Sequence, residues 1–200
     1  MKTDHFKEKS KDWDMNSKVV QNAKAIADII IKEIPLDKSM SLMDFGAGTG
    51  LLSCFVSDSV KSITAVDNSP AMLEKFRDKC DGLECDTQII ESDFSKESLD
   101  MKFDGIISSM TIHHLEDTTA LFGKFYDMLS EDGFIAIADL DTEDGSFHGD
   151  NTGVFHFGFD RESLEAIAKE VGFRDIRFEL ASTISKPHQD FTVFLMMAKR

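Results

Sequence analysis

The chemistry legible in this chain begins with three closely spaced glycines and three carboxylates. Gly46, Gly48 and Gly50 alternate with Ala47 and Thr49, directly after an apolar run that reaches Asp44-Phe45. Glycine serves where backbone turns sharply or approaches a ligand without a Cβ in the way. Such a loop after a strand predicts a small molecule at the carboxyl edge of a parallel sheet. Only Thr49 separates the second and third glycines, where the dinucleotide fingerprint has two residues, and no Lys-Ser or Lys-Thr pair follows as a phosphate loop requires. The spacing disfavours both a nicotinamide-dependent oxidoreductase and a phosphate site.

Asp67 and Asp93 fall at the ends of the next two predicted strands, and adjacent strand ends in a doubly wound sheet project into one crevice. An ionised Asp67 can accept hydrogen bonds from both hydroxyls of a ribose. Asp93 suits an exocyclic amino group, with the Phe94 amide pairing to a ring nitrogen. Asp44, beside the glycine loop, can hold a cationic group directly or through water. An acidic crevice without an anion cradle prefers a nucleoside bearing positive charge, and S-adenosylmethionine is such a ligand.

The elements that must position these residues follow from periodicity. Val19 to Ile34 carries apolar residues at helical intervals and predicts an amphipathic helix. Met40 to Phe45, Ser62 to Asp67, Thr87 to Ile90, Phe103 to Ser108 and Phe134 to Ala138 read as five strands. Helices over Leu51 to Ser59, from Ser69-Pro70 onward and over Asp117 to Leu129 separate most of them, with Ser69 as cap and Pro70 in the first turn. Glu131-Asp132-Gly133 reads as a turn before the fifth strand. This alternation predicts an α/β fold, a mainly parallel sheet covered on both faces. Asp139 to Phe159 reads as a long loop of the kind that is often functional. A helix over Asp160 to Val171 and two strands, Arg174 to Leu180 and Phe191 to Ala198, close the chain as an antiparallel pair, with Ser182 to Asp190 as a loop between them.

Asp44 to Gly50, Ala65-Val66-Asp67-Asn68-Ser69, Glu91 to Phe94, Phe103 to Ser109 and Met128 to Phe134 resemble, in order, the motifs of class I S-adenosylmethionine-dependent methyltransferases. The resemblance implies a Rossmann-like, doubly wound sheet of seven strands, the last antiparallel between the fifth and sixth. It also implies that Gly46, Ala47, Gly48 and Gly50 back the methionine part of the cofactor, with Asp44 beside them. Asp67 would hold the ribose, Asp93 and Phe94 the adenine, with Asn68 and Met72 lining the adenine side. Ser109 and Met110 would flank the methionine moiety and the entry to the acceptor. S-adenosylhomocysteine would be the product.

The acceptor side is less specific. His113 and His114 follow the fourth strand, near where the methyl should lie; each is either a general base or a residue that packs or caps the next helix. Trp13, the single tryptophan, either packs the amino-terminal helix onto the body or walls the pocket. In the long loop, Phe147, Phe155, Phe157 and Phe159 either line an apolar acceptor pocket or pin the loop to the core. His148 and His156 can orient the acceptor or take its proton. No tight ligand spacing marks a metal. Cys54 reads as packing rather than a nucleophile.

A chain of 200 residues suits one buried domain: residues 1–38 as an amino-terminal cap, 39–139 as the cofactor half and 140–200 as lid and closing strands. A net charge of -15 disfavours nucleic acid. There is no run long enough to span a membrane, and three cysteines without Cys-x-x-Cys spacing suggest reduced thiols and a cytoplasmic protein. The expectation is a methyltransferase acting on a small molecule, with oligomeric state undetermined. The alternatives are a protein methyltransferase and a cofactor-binding regulatory module without transfer activity.

Overall fold

Sheet residues alternate between two apolar clusters, and this alternation organises the molecule. The computed structural model describes Asp4 and residues 6–200; the remaining residues of the predicted amino-terminal cap lie outside the described residues. The strands are β1 (Ser41–Phe45), β2 (Ser62–Asp67), β3 (Asp86–Glu91), β4 (Phe103–Ser109), β5 (Leu129–Leu140), β6 (Arg174–Lys186) and β7 (Gln189–Lys199). The helices are α1 (Ser17–Glu33), α2 (Leu51–Val56), α3 (Pro70–Cys80), α4 (Thr118–Met128) and α5 (Arg161–Val171). Met43, Ile135, Ile137, Phe194 and Met196 meet Phe122 and Phe125 of α4 and Leu164 of α5 on one face. Leu42, Ala136, Ala138, Val193 and Leu195 meet Ile26 and Ile30 of α1 and Leu52 of α2 on the other. Successive strand side chains point to opposite faces, so near-continuous apolar strands require helices on both.

The strand order is β3-β2-β1-β4-β5-β7-β6. The first five strands pair in parallel, and β7 runs antiparallel to both of its neighbours, β5 and β6. The sheet is therefore the mainly parallel one expected, with the late antiparallel strand inserted next to the fifth. Ser69 caps α3 by accepting from the Met72 amide, with Pro70 in its first turn.

Two local readings need correction. The Glu131–Gly133 stretch does not precede a strand; it is a bulge inside β5, where Leu129 pairs with Phe103 and Phe134 with Gly105. Asp132 takes a φ of 61° there, which Asn and Asp tolerate better than most residues. Likewise Ser182 to Asp190 is not a loop. β6 and β7 stay paired out to Lys186 and Gln189, leaving Pro187 and His188 as a tight turn. Proline lacks a ladder donor, so it marks only the turn, while Phe191 and Val193 keep the strand's buried face. Among the described residues no helix is long and apolar enough to cross a membrane.

Candidate active site

The carboxyl ends of β1, β2 and β4 open onto a cavity of about 670 Å³, within the size range of small-molecule sites. The glycine loop forms one wall. Gly46 and Gly48 have φ of 66° and 56°, and the Gly46 and Ala47 amides donate to the Val66 carbonyl at 2.8 and 3.1 Å. A Cβ on Gly46 would stand 2.1 Å from the Thr111 side chain, so this glycine exists to let the loop after β4 close over the loop after β1. The space over Gly48 is open: a Cβ there would meet nothing nearer than the Gly46 carbonyl at 4.0 Å. Gly50 does not line the cavity. It caps α2 at a φ of 79°, and a Cβ there would lie 2.4 Å from the Phe76 ring of α3.

The three carboxylates occupy different environments. Asp44 is 1% exposed and accepts from Ser53 Oγ at 2.6 Å. Burial pushes its pKa up to about 7, with nearby Asp67 adding to the shift and the Ser53 bond opposing it. Asp67 accepts from the Gly48 amide through one oxygen and from the Ser69 amide through the other, both at 2.8 Å. Each oxygen keeps a lone pair for a ligand; burial raises this carboxyl, against those backbone bonds. Asp93 lines the same cavity with its carboxylate bonded to Ser95 and Lys96. Phe94 is buried against Phe45, ring centroids 5.1 Å apart. Asn68, Met72, Ser109 and Met110 also line the cavity. Met110 adopts a φ of 56° while its amide donates to Ala138, and strained non-glycine backbone of this kind clusters at ligand sites.

The other end of the cavity holds imidazoles. His113 and His114 form a short 3-10 turn after β4, and His148 comes from the long loop. The His113 ring lies 4.2 Å from His114 and 5.0 Å from His148. His113 is 1% exposed, and its Nδ1 is 2.7 Å from Oδ1 of Asp139, a residue wholly buried in β5. A carboxylate only accepts, so Nδ1 donates and Nε2 presents a lone pair. That Nε2 is buried with no hydrogen-bond partner among the described residues, as is Nε2 of His148. Burial first, then the neighbouring imidazoles, pulls both His114 and His148 down to about 4. His114 also pairs with the Gly153 carbonyl at 2.7 Å. No group of three or more His, Cys, Asp or Glu among the described residues is placed to hold a metal.

The long loop is divided in its uses. Phe147 and Phe155 line the cavity, Phe159 is in the core, and Phe157 is exposed. His156 stands outside the cavity lining; its Nε2 pairs with the Leu115 carbonyl at 2.9 Å. Trp13 lines the cavity, with Phe6 edge-on to both Trp13 and His114. The amino-terminal segment is tied down by Asp4 on Ser69 Oγ and by Asp14, which accepts from Thr49 Oγ1 at 2.6 Å and pairs with Lys79. Sequence reasoning missed Ser53, Thr111 and Asp139. For Asp139 the signal was present: it sits at the carboxyl end of a strand, the position that singled out the other three aspartates. Ser53 and Thr111 carry no signal without the fold.

Fold and site together define a class, a crevice at the carboxyl ends of a seven-stranded α/β sheet, lined by a glycine loop and carboxylates and, at its other end, by imidazoles. The methyltransferase-domain family model matches residues 20–177, and the chain belongs to that family. It is 29% identical over 138 residues to malonyl-[acyl-carrier protein] O-methyltransferase of Acetivibrio thermocellus, covering 67% of this chain and 47% of that protein. It is 30% identical over 135 residues to an uncharacterised methyltransferase of Schizosaccharomyces pombe, covering 60% of this chain and 48% of that one. The chain thus spans about half the length of the curated relatives it matches. Among solved structures, Haemonchus contortus phosphoethanolamine N-methyltransferase 2 in complex with S-adenosyl-L-methionine superposes with a TM-score of 0.71 at 16% identity, over 98% of this chain and 60% of that chain. A chain from the complex between the Haloferax volcanii Trm112 methyltransferase activator and the putative methyltransferase superposes with a TM-score of 0.79 at 14% identity, over 100% of this chain and 99% of that chain. At these identities the structural likeness speaks for the fold.

Proposed function

We propose that this chain is an S-adenosylmethionine-dependent methyltransferase acting on a small-molecule acceptor, and that residues 1–38, 39–139 and 140–200 serve as cap, cofactor half and lid of one domain. The observation that carries the reading is the Asp67 carboxylate, anchored by one backbone amide on each oxygen and turned to the cavity beside the open side of Gly48. The residues fit that cofactor: Asp67 offers lone pairs to a diol, buried Asp44 favours a cation, and the glycine loop leaves its space free. Asp93, Phe94, Asn68 and Met72 bound the base end, and Ser109 and Met110 the methionine end. The three free cysteines agree with a cytoplasmic setting.

The cofactor, when bound, supplies an electrophilic methyl group that an acceptor nucleophile takes by in-line displacement, leaving S-adenosylhomocysteine. The chain's own task is then orientation and proton removal. His113 Nε2 takes the acceptor's proton, and Asp139 holds the ring in the tautomer that can do so. His114, neutral at physiological pH with its Nδ1 on the Gly153 carbonyl, fixes the lid loop against β4's end. Trp13, Phe155 and His148 wall the acceptor side and keep water from the reacting atoms; His156 holds the lid from behind.

The test is calorimetric. Asp67→Ala should weaken S-adenosylmethionine binding by roughly 10- to 100-fold, the loss of one or two hydrogen bonds to a charged group. Unchanged affinity in Asp67→Ala, or binding of NADH in place of S-adenosylmethionine by the unaltered protein, would sink the reading.

A further inference from the structure

The cavity is electrically polarised. Its carboxylates Asp44, Asp67 and Asp93 lie at the ends of β1, β2 and just after β3, whereas Lys9, Lys18 and Lys186 line it from the amino-terminal segment, α1 and β6. The chain's net charge is -15, so three ammoniums gathered at one end of one cavity run against the composition. We propose that Lys9, Lys186 and His148 form a subsite for an anionic group of the acceptor, a carboxylate or phosphate monoester, which anchors it while its nucleophilic atom meets His113. This rests on the methyltransferase reading for what the acceptor undergoes, and on the chain alone for the anion.

The geometry supports a built site. Lys186 is half-buried, its Nζ lies 4.1 Å from the Phe147 ring centroid and 5.6 Å from that of Phe191, and it donates to the Phe147 carbonyl. An ammonium carries three donors, so one such bond leaves two for a ligand. Its ammonium is held by two rings and a carbonyl, so little freedom remains to lose on binding. His148 packs edge-on against Phe147 at 4.9 Å, and its buried Nε2 has no partner among the described residues. Lys9 lines both this cavity and an adjoining one of about 470 Å³ that shares His114, His148 and Phe155. It therefore stands where an acceptor would enter.

The opposing charges are Glu143 and Glu116 and, in the adjoining cavity beside Lys9, Asp4, Glu91 and Asp150. Glu143 acts on Lys186; one of its oxygens accepts from the Gly145 and Phe147 amides, and the other is buried with no hydrogen-bond partner among the described residues. Glu116 borders the cavity as an exposed side chain, and Lys18, itself bonded to the Ser185 carbonyl at 2.5 Å, adds to the positive end. Lys9 and Lys18 are exposed, so the anion's main contacts are half-buried Lys186 and His148 inside the first cavity, where partial burial strengthens charge interactions. The cofactor end is lined by Asp44, Asp67 and Asp93 and by no lysine of this set, so the two ligands meet different charged groups.

The experiment titrates the protein, with and without S-adenosylhomocysteine, against inorganic phosphate, acetate and neutral acetamide at fixed ionic strength, following the His148 ring proton by NMR. Phosphate or acetate should shift it saturably and acetamide should not; whichever anion binds tighter identifies the acceptor's group. Lys9→Met and Lys186→Met together should weaken the anion about tenfold, roughly one charge-assisted contact, with S-adenosylhomocysteine affinity unchanged. Lys9→Met alone serves if Lys186→Met unfolds. No saturable shift in the unaltered protein, or equal affinity in the variants, overturns the subsite. Loss of S-adenosylhomocysteine binding in the unaltered protein would instead overturn the methyltransferase reading, because the anion titration without cofactor stands by itself.

Discussion

At the scale of single residues, the site depends on pairs in which one member fixes the other. Asp139 holds His113, Ser53 holds Asp44, and the Gly48 and Ser69 amides hold Asp67. A positioned general base contributes typically 10²–10⁴-fold, so His113→Gln should cut kcat by about 100-fold. Asp139→Asn should cut it in the same direction, because an amide can donate to Nδ1 and so stabilise the tautomer that carries its hydrogen on Nε2. In both variants the dissociation constant for the cofactor should stay near that of the unaltered protein. Steady-state kinetics beside calorimetry checks this, and a merely structural His113 would move both quantities together. The readable part of these pairs was the strand-end carboxylate. Apart from Ser69, two positions from Asp67, the partners lie nine to twenty-six positions away in sequence, and no local pattern announces them.

At the scale of elements, the loops after β1 and β4 and the helices α2 and α3 are fitted to one another through glycines. Gly46 accommodates Thr111, and Gly50 accommodates Phe76. Gly50→Ala sets a side chain at a positive φ and drives it into a wholly buried ring. The change should lower stability by about 2–4 kcal/mol, combining left-handed strain with overpacking; chemical denaturation would measure it. Its glycine was legible as a motif letter, but its use was not, because spacing shows that a Cβ is excluded and not what excludes it. Helix and strand positions were largely readable, since the apolar runs of β1, β2, β4 and β7 leave little choice. The β5 bulge and the β6–β7 turn were misread because Gly133 and Pro187 carry the same letters whether they open a loop or interrupt a ladder.

For the whole molecule, acid is the informative perturbation. His114 and His148 fall from 6.5 to about 4 on folding, so the unfolded chain binds more protons between those values. Their contribution to stability is complete above pH 6.5 and is lost as pH falls through about 4. Asp44, raised from 3.8 to about 7, works the other way: its contribution is complete below 3.8 and is lost as pH rises through 7. Replacing both histidines, as His114→Gln with His148→Gln, should flatten the decline in unfolding free energy between pH 6.5 and 4. Denaturant midpoints at four or five pH values would show it, and an unaltered slope would mean that the two imidazoles are solvated.

The place of β7 has a consequence for how the chain is made. Every strand that borders the cavity precedes it in sequence, yet β7 sits inside the sheet, between β5 and β6. Until residues beyond 189 emerge from the ribosome, β5 presents a long apolar flank with its backbone groups unpaired, the kind of edge that recruits other chains. The β6–β7 hairpin, closed by its two-residue turn, can form as a local unit and dock in one event. Completion of the crevice therefore waits on a segment that contributes Lys186 to one end of it and nothing to the carboxylate-lined end, which ties maturation of the Lys186 end to the emergence and docking of the β6–β7 hairpin.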